Sequence, residues 1–476
     1  MLHVRWRIGL FALLPLLWVG CAGPRRVADA PAEPDVPANW AEAAAVSAAS
    51  AAASREGWWQ RFDDPLLARL VAQAMQANTT VLGAQAALRQ ARALRDVAAA
   101  ALQPLVTGSA SARHGTSGGD STGNVFQADL DASWEVDLFG GRRAGVASAD
   151  AVARSSAASL GDVQVSIAAE VGLGYIALRG AQARLAVGED NLASQRETLQ
   201  LTEWRAQAGL LSTLEAEQAR AATAQTGAQL PGLRSSVALQ SHALAVLTGQ
   251  PPATLDALLA APRAIPQPAA DLALSLPADT LRQRPDVRAA EQQVLAAQGR
   301  VAQADAARYP SFQLGGSLGL SALTLGSLGS SALATTLLAS VSLPVWDGGA
   351  AQAQVRAQQA ALDSARSSYR GTVLTALKDV EDALVALRGD RERLERLQVA
   401  ADAATRAATL ARQRYGSGLV DFQTVLETQR SQLATQDSRT VALADVGADH
   451  VRLYKALGGA WRSSEPTLST DRTEPR

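Results

Sequence analysis

Apolar and polar residues alternate with two different periods along this chain. Between residues 373 and 394 the apolar positions recur at steps of four and three, namely Val373, Leu377, Val380, Leu384, Leu387 and Leu394. This heptad-like spacing predicts a long helix that packs against a neighbouring helix, and a solvated coiled coil fits it equally well. The proline-free segments 144–208 and 351–415 are each predicted to be one helix of about 100 Å. Shorter helices are predicted over 65–103 and 279–308.

Two other patches alternate with a period of two, which is typical of strands. From Asn124 to Leu138, apolar residues alternate with Gln127, Asp129, Asp131, Ser133, Glu135 and Asp137. We predict strands at about 105–114 and 125–138 in the first half of the chain, and at about 310–321 and 335–346 in the second. About ten residues per strand suits a transmembrane barrel. Because four strands cannot close a barrel alone, this interpretation requires an oligomer, whereas a small soluble hairpin would pack its apolar face on protein.

Internal repetition decides the predicted organisation. Ala-Leu-Arg-Gly occurs at 177–180 and again at 386–389, and Gly209-Leu210 recurs as Gly418-Leu419 with the same offset. We therefore predict two homologous halves, 58–250 and 279–461, joined by a proline-rich connector at 251–278.

The N-terminus predicts export and a lipid anchor. Residues 1–20 combine Arg5 and Arg7 with a short apolar stretch, as in a secretory signal peptide. Cys21 follows directly and resembles the lipidated cysteine of a bacterial lipobox, although Trp18 stands where that motif usually has leucine. Residues 21–57 are then a lipid anchor and tether, and 462–476 a polar tail. An ordinary signal peptide with an incidental cysteine is the alternative.

Composition narrows the functional classes. Aromatic residues make up 4% of the chain and the formal net charge is −1, with no basic surface for nucleic acid. The four histidines show no metal-ligand spacing, no cofactor motif is present, and no nucleophile–base arrangement indicates an enzyme. Two functional classes remain as candidates: a lipoprotein channel, and a periplasmic coiled-coil lipoprotein that is not a channel.

Several motifs resemble the outer membrane factor family of TolC-like efflux channels, in its NodT-type lipoprotein branch. They are Trp58–Leu66 (WWQRFDDPL), Trp134–Arg143 (WEVDLFGGRR), Arg284–Arg288 (RPDVR) and Asp347-Gly348-Gly349. The resemblance implies a mainly α fold with a small β part: a long-helix periplasmic α-barrel below a transmembrane β-barrel that is completed by trimerisation. It also implies a passive exit duct of a tripartite efflux system for small molecules, which are delivered by a periplasmic adaptor and an inner-membrane pump of the RND type. A type I secretion duct for polypeptides is an alternative within the same class.

Candidate site residues follow from the strand pattern and the resemblance. The acids Asp129, Asp131, Glu135 and Asp137 would face a barrel lumen and favour cations. The two helix reversals resemble the family's adaptor-docking tips, with Gly209 and Leu210 in one half and Gly416, Gly418 and Leu419 in the other.

The resemblance also implies a gate beside these reversals. Glu427 matches a pore-facing acidic position, and Thr424 stands where some members carry a second acidic ring. Asp421, one turn earlier, is the candidate partial substitute for that ring. Glu215 and Tyr415 match an acid–tyrosine pair whose hydrogen bond would latch the closed state. Val420 occupies the position of a gate arginine in some members, so that link is absent here.

Overall fold

A computed structural model describes residues 37, 40, 57–116, 122–268 and 277–459, and these form two compact units. Unit 1 comprises residues Arg89–Ser155 and Glu291–Tyr369. Unit 2 comprises the described residues up to Leu88, Ser156–Ala290 apart from 269–276, and those from Arg370 onwards. In the described part of the chain, no helix combines the length and the apolar character that a membrane crossing requires.

Unit 1 contains one four-stranded antiparallel sheet. Its strands are β1 (Leu105–Thr116), β2 (Thr122–Val136), β3 (Ser311–Ala322) and β4 (Ala334–Ser342), paired in that order. A 3-10 turn at Leu325–Ser330 connects β3 to β4. Within the described residues, β1 and β4 each pair on one side, so the sheet has two free edges.

The helices repeat in length between the halves. They are α1 (Pro65–Ala77), α2 (Thr79–Ala100), α3 (Gly141–Gln207), α4 (Thr213–Leu247), α5 (Asp256–Leu259), α6 (Pro277–Gln283), α7 (Pro285–Ala306), α8 (Ala350–Gly416) and α9 (Phe422–Ala456). The pair α2 and α7 has 22 residues each, α3 and α8 have 67, and α4 and α9 have 35. These equal lengths place corresponding residues of α3–α4 and α8–α9 209 positions apart.

The prediction of unbroken helices over 65–103 and 279–308 is wrong, because each contains a break that docks in unit 2. Asn78 interrupts the first: its side-chain oxygen accepts from Thr80 N and caps α2, and its amide donates to Leu247 O at 2.9 Å. Arg284 interrupts the second and donates to Ala456 O at 2.8 Å. Since Leu247 and Ala456 end α4 and α9, both breaks are fixed to the same point of the repeated hairpin.

The core of unit 2 joins the N-terminal motif to the long helices. Trp58 is fully buried, stacks on Tyr454 at 5.5 Å and contacts Phe62 edge-on. A second cluster confirms the predicted seam of α8: Val380 and Leu387 are buried against Val446 and Leu453 of α9, with Leu377, Leu384 and Leu394 packed alongside. Trp40 completes this cluster from the N-terminal segment. An apolar seam therefore holds α8 against α9 there.

Two strands end earlier than predicted. β2 stops at Val136, and Asp137 instead accepts hydrogen bonds from Arg142 N and Arg143 N, which caps the start of α3. β4 stops at Ser342, before Pro344, which has no N–H to continue the ladder. The first strand therefore ends where a residue is needed to cap the next helix, and the second ends where proline interrupts the ladder.

Candidate functional site

One face of the sheet carries a row of polar side chains. The strand register places Asp129 opposite Ser109 and Gly319, and cross-strand partners point to the same face. One row along, Asp131 lies opposite Thr107 and Ser317. A side chain at position 319 would collide with the Asp129 carboxylate. Glycine there lets this carboxylate lie across the neighbouring strand.

The other face is apolar and exposed. It carries Val106 at 57%, Leu130 at 46%, Leu318 at 45% and Leu337 at 88% exposure. The strand register therefore gives the sheet one apolar surface and one surface on which polar side chains predominate, with Leu105 and Leu338 as apolar exceptions.

The predicted acids divide into two kinds. Asp129 and Asp131 have no ion pair with any described residue. Glu135 is instead held by Arg142, whose guanidinium lies 2.5 Å from it and also donates to Ala101 O at 2.9 Å. Asp137 lies beyond β2 and pairs with Arg143 at 3.1 Å. Of the four predicted strand acids, Asp137 therefore lies beyond the strand, and both it and Glu135 are paired with an arginine where the sheet joins α3.

The two helix reversals in unit 2 have the same backbone geometry. Reversal 1 (residues 208–212) joins α3 to α4, and reversal 2 (residues 417–421) joins α8 to α9. Gly209 and Gly418 adopt left-handed φ angles of 74° and 73°. Leu210 N donates to Arg205 O and Leu419 N to Arg414 O, both at 2.8 Å, as in a Schellman motif. Leu210 and Leu419 are 73% and 74% exposed, so each reversal presents one apolar side chain to its surroundings.

A buried cluster joins the reversals. Tyr415 and Phe422 pack at 6.0 Å between ring centroids, with Val425 and Leu426 and with Ala219 and Ala222 of α4. The elements of both halves thus share one small core beside the reversals.

Arg205 spans from α3 to the end of α8. Its guanidinium donates to Tyr415 O at 2.9 Å and to Gly416 O at 2.7 Å, and it lies 4.8 Å from the centre of the Tyr415 ring. The sequence interpretation missed this residue. The sequence did offer a positional signal for it, because Arg205 and Arg414 each lie four residues before the left-handed glycine of their half.

The predicted Glu215–Tyr415 latch is not formed. Glu215 accepts from Ser212 N at 3.0 Å and closes a capping box at the start of α4. The Tyr415 hydroxyl lies 3.5 Å from Thr202 Oγ1, buried within the cluster. Glu215 is held at its own helix end because α4 requires an acceptor for its first free N–H groups.

The remaining gate candidates lie on one exposed side of α9. Thr424 donates through N and Oγ1 to Asp421 at 2.9 and 2.6 Å, which lowers the pKa of Asp421 and caps the helix. Glu427 lies one turn further on and accepts from Gln423 at 3.0 Å. Asp421 and Glu427 therefore put two carboxylates on the exposed surface of the first turns of α9.

Two further predictions concern anchoring and metals. Cys21 lies outside the described residues. Among the residues that are described, no group of three or more His, Cys, Asp or Glu side chains is arranged to hold a metal ion.

Comparison with known proteins places these features in a family. The family model for outer membrane efflux proteins matches residues 70–250 and 276–459, once in each half. The chain belongs to the outer membrane efflux protein family. It is 32% identical over 455 residues to nodulation protein T of Rhizobium leguminosarum bv. viciae, covering 94% of this chain and 93% of that protein.

Other relatives agree with this assignment. The pyoverdine export outer membrane protein OpmQ of Pseudomonas aeruginosa is 32% identical over 458 residues, covering 91% of this chain and 93% of that protein. The solved structure of the outer-membrane channel OprN superposes with a TM-score of 0.81 at 36% identity, covering 90% of this chain and 99% of that one. The predicted family, the mainly helical fold with two related halves and the outer-membrane efflux channel are confirmed. The family's role is transport.

Proposed function

We propose that this efflux protein works as a homotrimeric, passive exit duct for small molecules, anchored in the outer membrane through lipid on Cys21. Its energy comes from an inner-membrane pump of the RND type, and a periplasmic adaptor that docks on the two reversals joins it to that pump. Most of its mass lies in the periplasm.

The two-faced sheet with free edges carries this proposal. Four strands with unpaired edges leave backbone N–H and C=O groups without partners, which a lipid environment does not tolerate. Three copies, joined edge to edge from β4 to β1, satisfy those groups and close twelve strands. The exposed apolar face then meets lipid and the polar face meets a water-filled interior.

The polar face supports a preference for cations. In a trimer, Asp129 and Asp131 contribute six carboxylates to the interior. Glu135 and Asp137 add little net charge there, since each is paired with an arginine. We expect hydrated cations and cationic small molecules to pass more readily than anions.

The reversals support the docking role. Each ends in an exposed leucine after a rigid glycine turn, and their geometry is nearly identical. An adaptor with a repeated apolar contact therefore meets two similar surfaces per protomer and six per trimer.

Purified mature protein tests the duct directly. Its oligomer mass in detergent and its single-channel currents in planar bilayers should show a trimer with small, cation-preferring conductance. Asp129→Asn combined with Asp131→Asn should shift the reversal potential in a salt gradient towards zero selectivity, whereas Ser109→Ala on the same face should leave it unchanged. A monomer without currents at any voltage would disprove the proposal.

Cellular export tests the partners. In a strain that lacks its own outer-membrane channel, the chain together with a cognate adaptor and pump should restore resistance to small toxic compounds. Leu210→Asp and Leu419→Asp should abolish resistance without changing the amount of trimer. Restored polypeptide secretion in place of small-molecule resistance would favour the type I secretion duct.

A further inference from the structure

We propose that a cavity in unit 2 binds a small aliphatic diamine, whose two ammonium groups pair with Asp162 of α3 and Asp449 of α9. The cavity has a volume of about 420 Å³, which lies within the range of small-molecule sites. It is lined by residues of α3, α8 and α9 and by the start of α7. The inference goes beyond the proposed function, which assigns no role to this cavity.

Carboxylates outnumber basic groups in the lining of this cavity. Its five acids are Asp162, Asp286, Asp379, Asp382 and Asp449. Its three basic residues are Arg284, Arg452 and Lys455. Even when Lys378 is counted, which pairs with Asp382 at 2.5 Å, one negative charge remains without a counter-charge. A cavity with this excess attracts cations.

Asp162 is the first acceptor that is left for a ligand. The buried Arg284 donates to Asp286 at 2.7 Å and to Asp379 at 3.1 Å, so it already serves two carboxylates. Lys455 is exposed, and neither it nor Asp162 makes an ion pair with a described residue. Burial raises the pKa of Asp162, and the nearby Asp286 raises it further, against the effects of Lys455 and Arg284. A cation bound beside Asp162 would stabilise the charged form that these surroundings disfavour.

Asp449 is the second acceptor, and it is almost completely buried. Its side chain is 1% exposed. Oδ1 accepts from Arg452 at 2.5 Å, whereas Oδ2 has no hydrogen-bond partner among the described residues. Burial raises the pKa of Asp449, Arg452 opposes this effect, and the neighbouring Asp390 carboxylate adds to it. Because a buried oxygen without a donor costs free energy, a ligand that donates to Oδ2 is stabilised there.

The remaining lining determines the kind of cation. Val165, Pro285, Ala383, Ala386 and Ala456 contribute apolar surface to the same cavity, which suits methylene groups. In the described part of the chain, no three acids are grouped so that they could hold a metal ion. Two acceptors on different helices, with apolar surface in the same cavity, therefore fit an aliphatic chain that carries an amine at each end.

Isothermal titration calorimetry of the purified full-length protein with 1,4-diaminobutane tests this site. Asp162→Asn and Asp449→Asn should each weaken binding by at least about tenfold, because each removes the charge from one ammonium partner. Asp363→Asn is the charge-matched control and should bind like the wild type, since Asp363 lies in unit 1 with its side chain 73% exposed. Neutral 1,4-butanediol should not bind, and n-butylamine should bind at least about tenfold more weakly than the diamine.

A second variant tests the cavity without changing any charge. Ala386→Leu should abolish diamine binding, because the larger side chain occupies space in the cavity. If Asp449→Asn does not fold, the variants Asp162→Asn and Ala386→Leu decide the question.

Four results would overturn the proposal. They are no binding of the diamine at millimolar concentration, equal affinity for the diol, unchanged affinity in Asp162→Asn and Ala386→Leu, and displacement of the diamine by an equal concentration of Mg²⁺. The duct is judged separately by oligomer mass and currents. A conducting trimer that binds no diamine therefore disproves only the amine site, whereas a monomer that binds it without currents disproves only the duct.

Discussion

Four glycines with the same backbone conformation give a graded test of how the hairpins are packed. Gly209, Gly249, Gly418 and Gly458 have φ angles of 74°, 73°, 73° and 88°. Each follows the end of a long helix, and they differ in the space around the missing Cβ. Alanine at any of them adopts a left-handed conformation, which costs about 1–2 kcal/mol.

The structure adds a second cost at one of these positions. A Cβ on Gly249 would collide with the carbonyl oxygen of Ala77 and lie 2.8 Å from its carbonyl carbon, where the backbone is fixed by the neighbouring Asn78 break. Displacing packed backbone costs about 1–3 kcal/mol more. At Gly458 the closest atoms are 3.3 Å away, and at Gly209 and Gly418 no atom lies within 4 Å.

We therefore expect Gly249→Ala to destabilise the protein by about 3 kcal/mol or more, and Gly458→Ala by less. Gly209→Ala and Gly418→Ala should lose about 1–2 kcal/mol each, from the backbone alone. Thermal or denaturant unfolding of the detergent-purified variants, followed by circular dichroism at one protein concentration, measures this order. Equal losses in all four variants would refute the inference that the helix breaks dock tightly on the ends of α4 and α9.

Other residues give separate tests. Burial and Arg391 lower the pKa of His450 from 6.5 to about 4, so the unfolded chain takes up a proton first on acidification. Between pH 7 and pH 5, the free energy of unfolding of the wild type should fall by about 2 kcal/mol more than that of His450→Gln. An equal fall in the two proteins would contradict this. Glu215→Ala should lower the free energy of unfolding by about 1 kcal/mol, because the cap of α4 is lost, and should leave conductance unchanged. An increased leak current would instead show that Glu215 belongs to the gate. Glu427→Ala should relax cation passage, measured as an altered reversal potential in a salt gradient, and unchanged currents would remove Glu427 from the pathway.

Local patterns in the sequence predicted the type and approximate position of most elements, and their duplication. A period of two between Asn124 and Val136 reported a strand with two different faces, because side chains alternate along an extended backbone. The Gly-Leu pairs at 209 and 418 have the same offset as the two Ala-Leu-Arg-Gly segments, and this shared offset indicated the repeated hairpins. These features depend on neighbours within a few residues or on comparison of the chain with itself.

Contacts between distant residues decided the remainder. The break at Asn78 has a local component, because its side chain caps α2 through Thr80 N, but its contact with Leu247 O, 169 positions away, is not indicated by any local pattern. Glu135 and Asp137 resembled the other strand acids until the turn into α3 brought Arg142 and Arg143 to them. Arg205 and Arg414 are equivalent in sequence, yet the packing of α3 against α8 gives carbonyl partners to Arg205 and none to Arg414. An ionic side chain acts according to the groups beside it, and those groups are set by the tertiary structure.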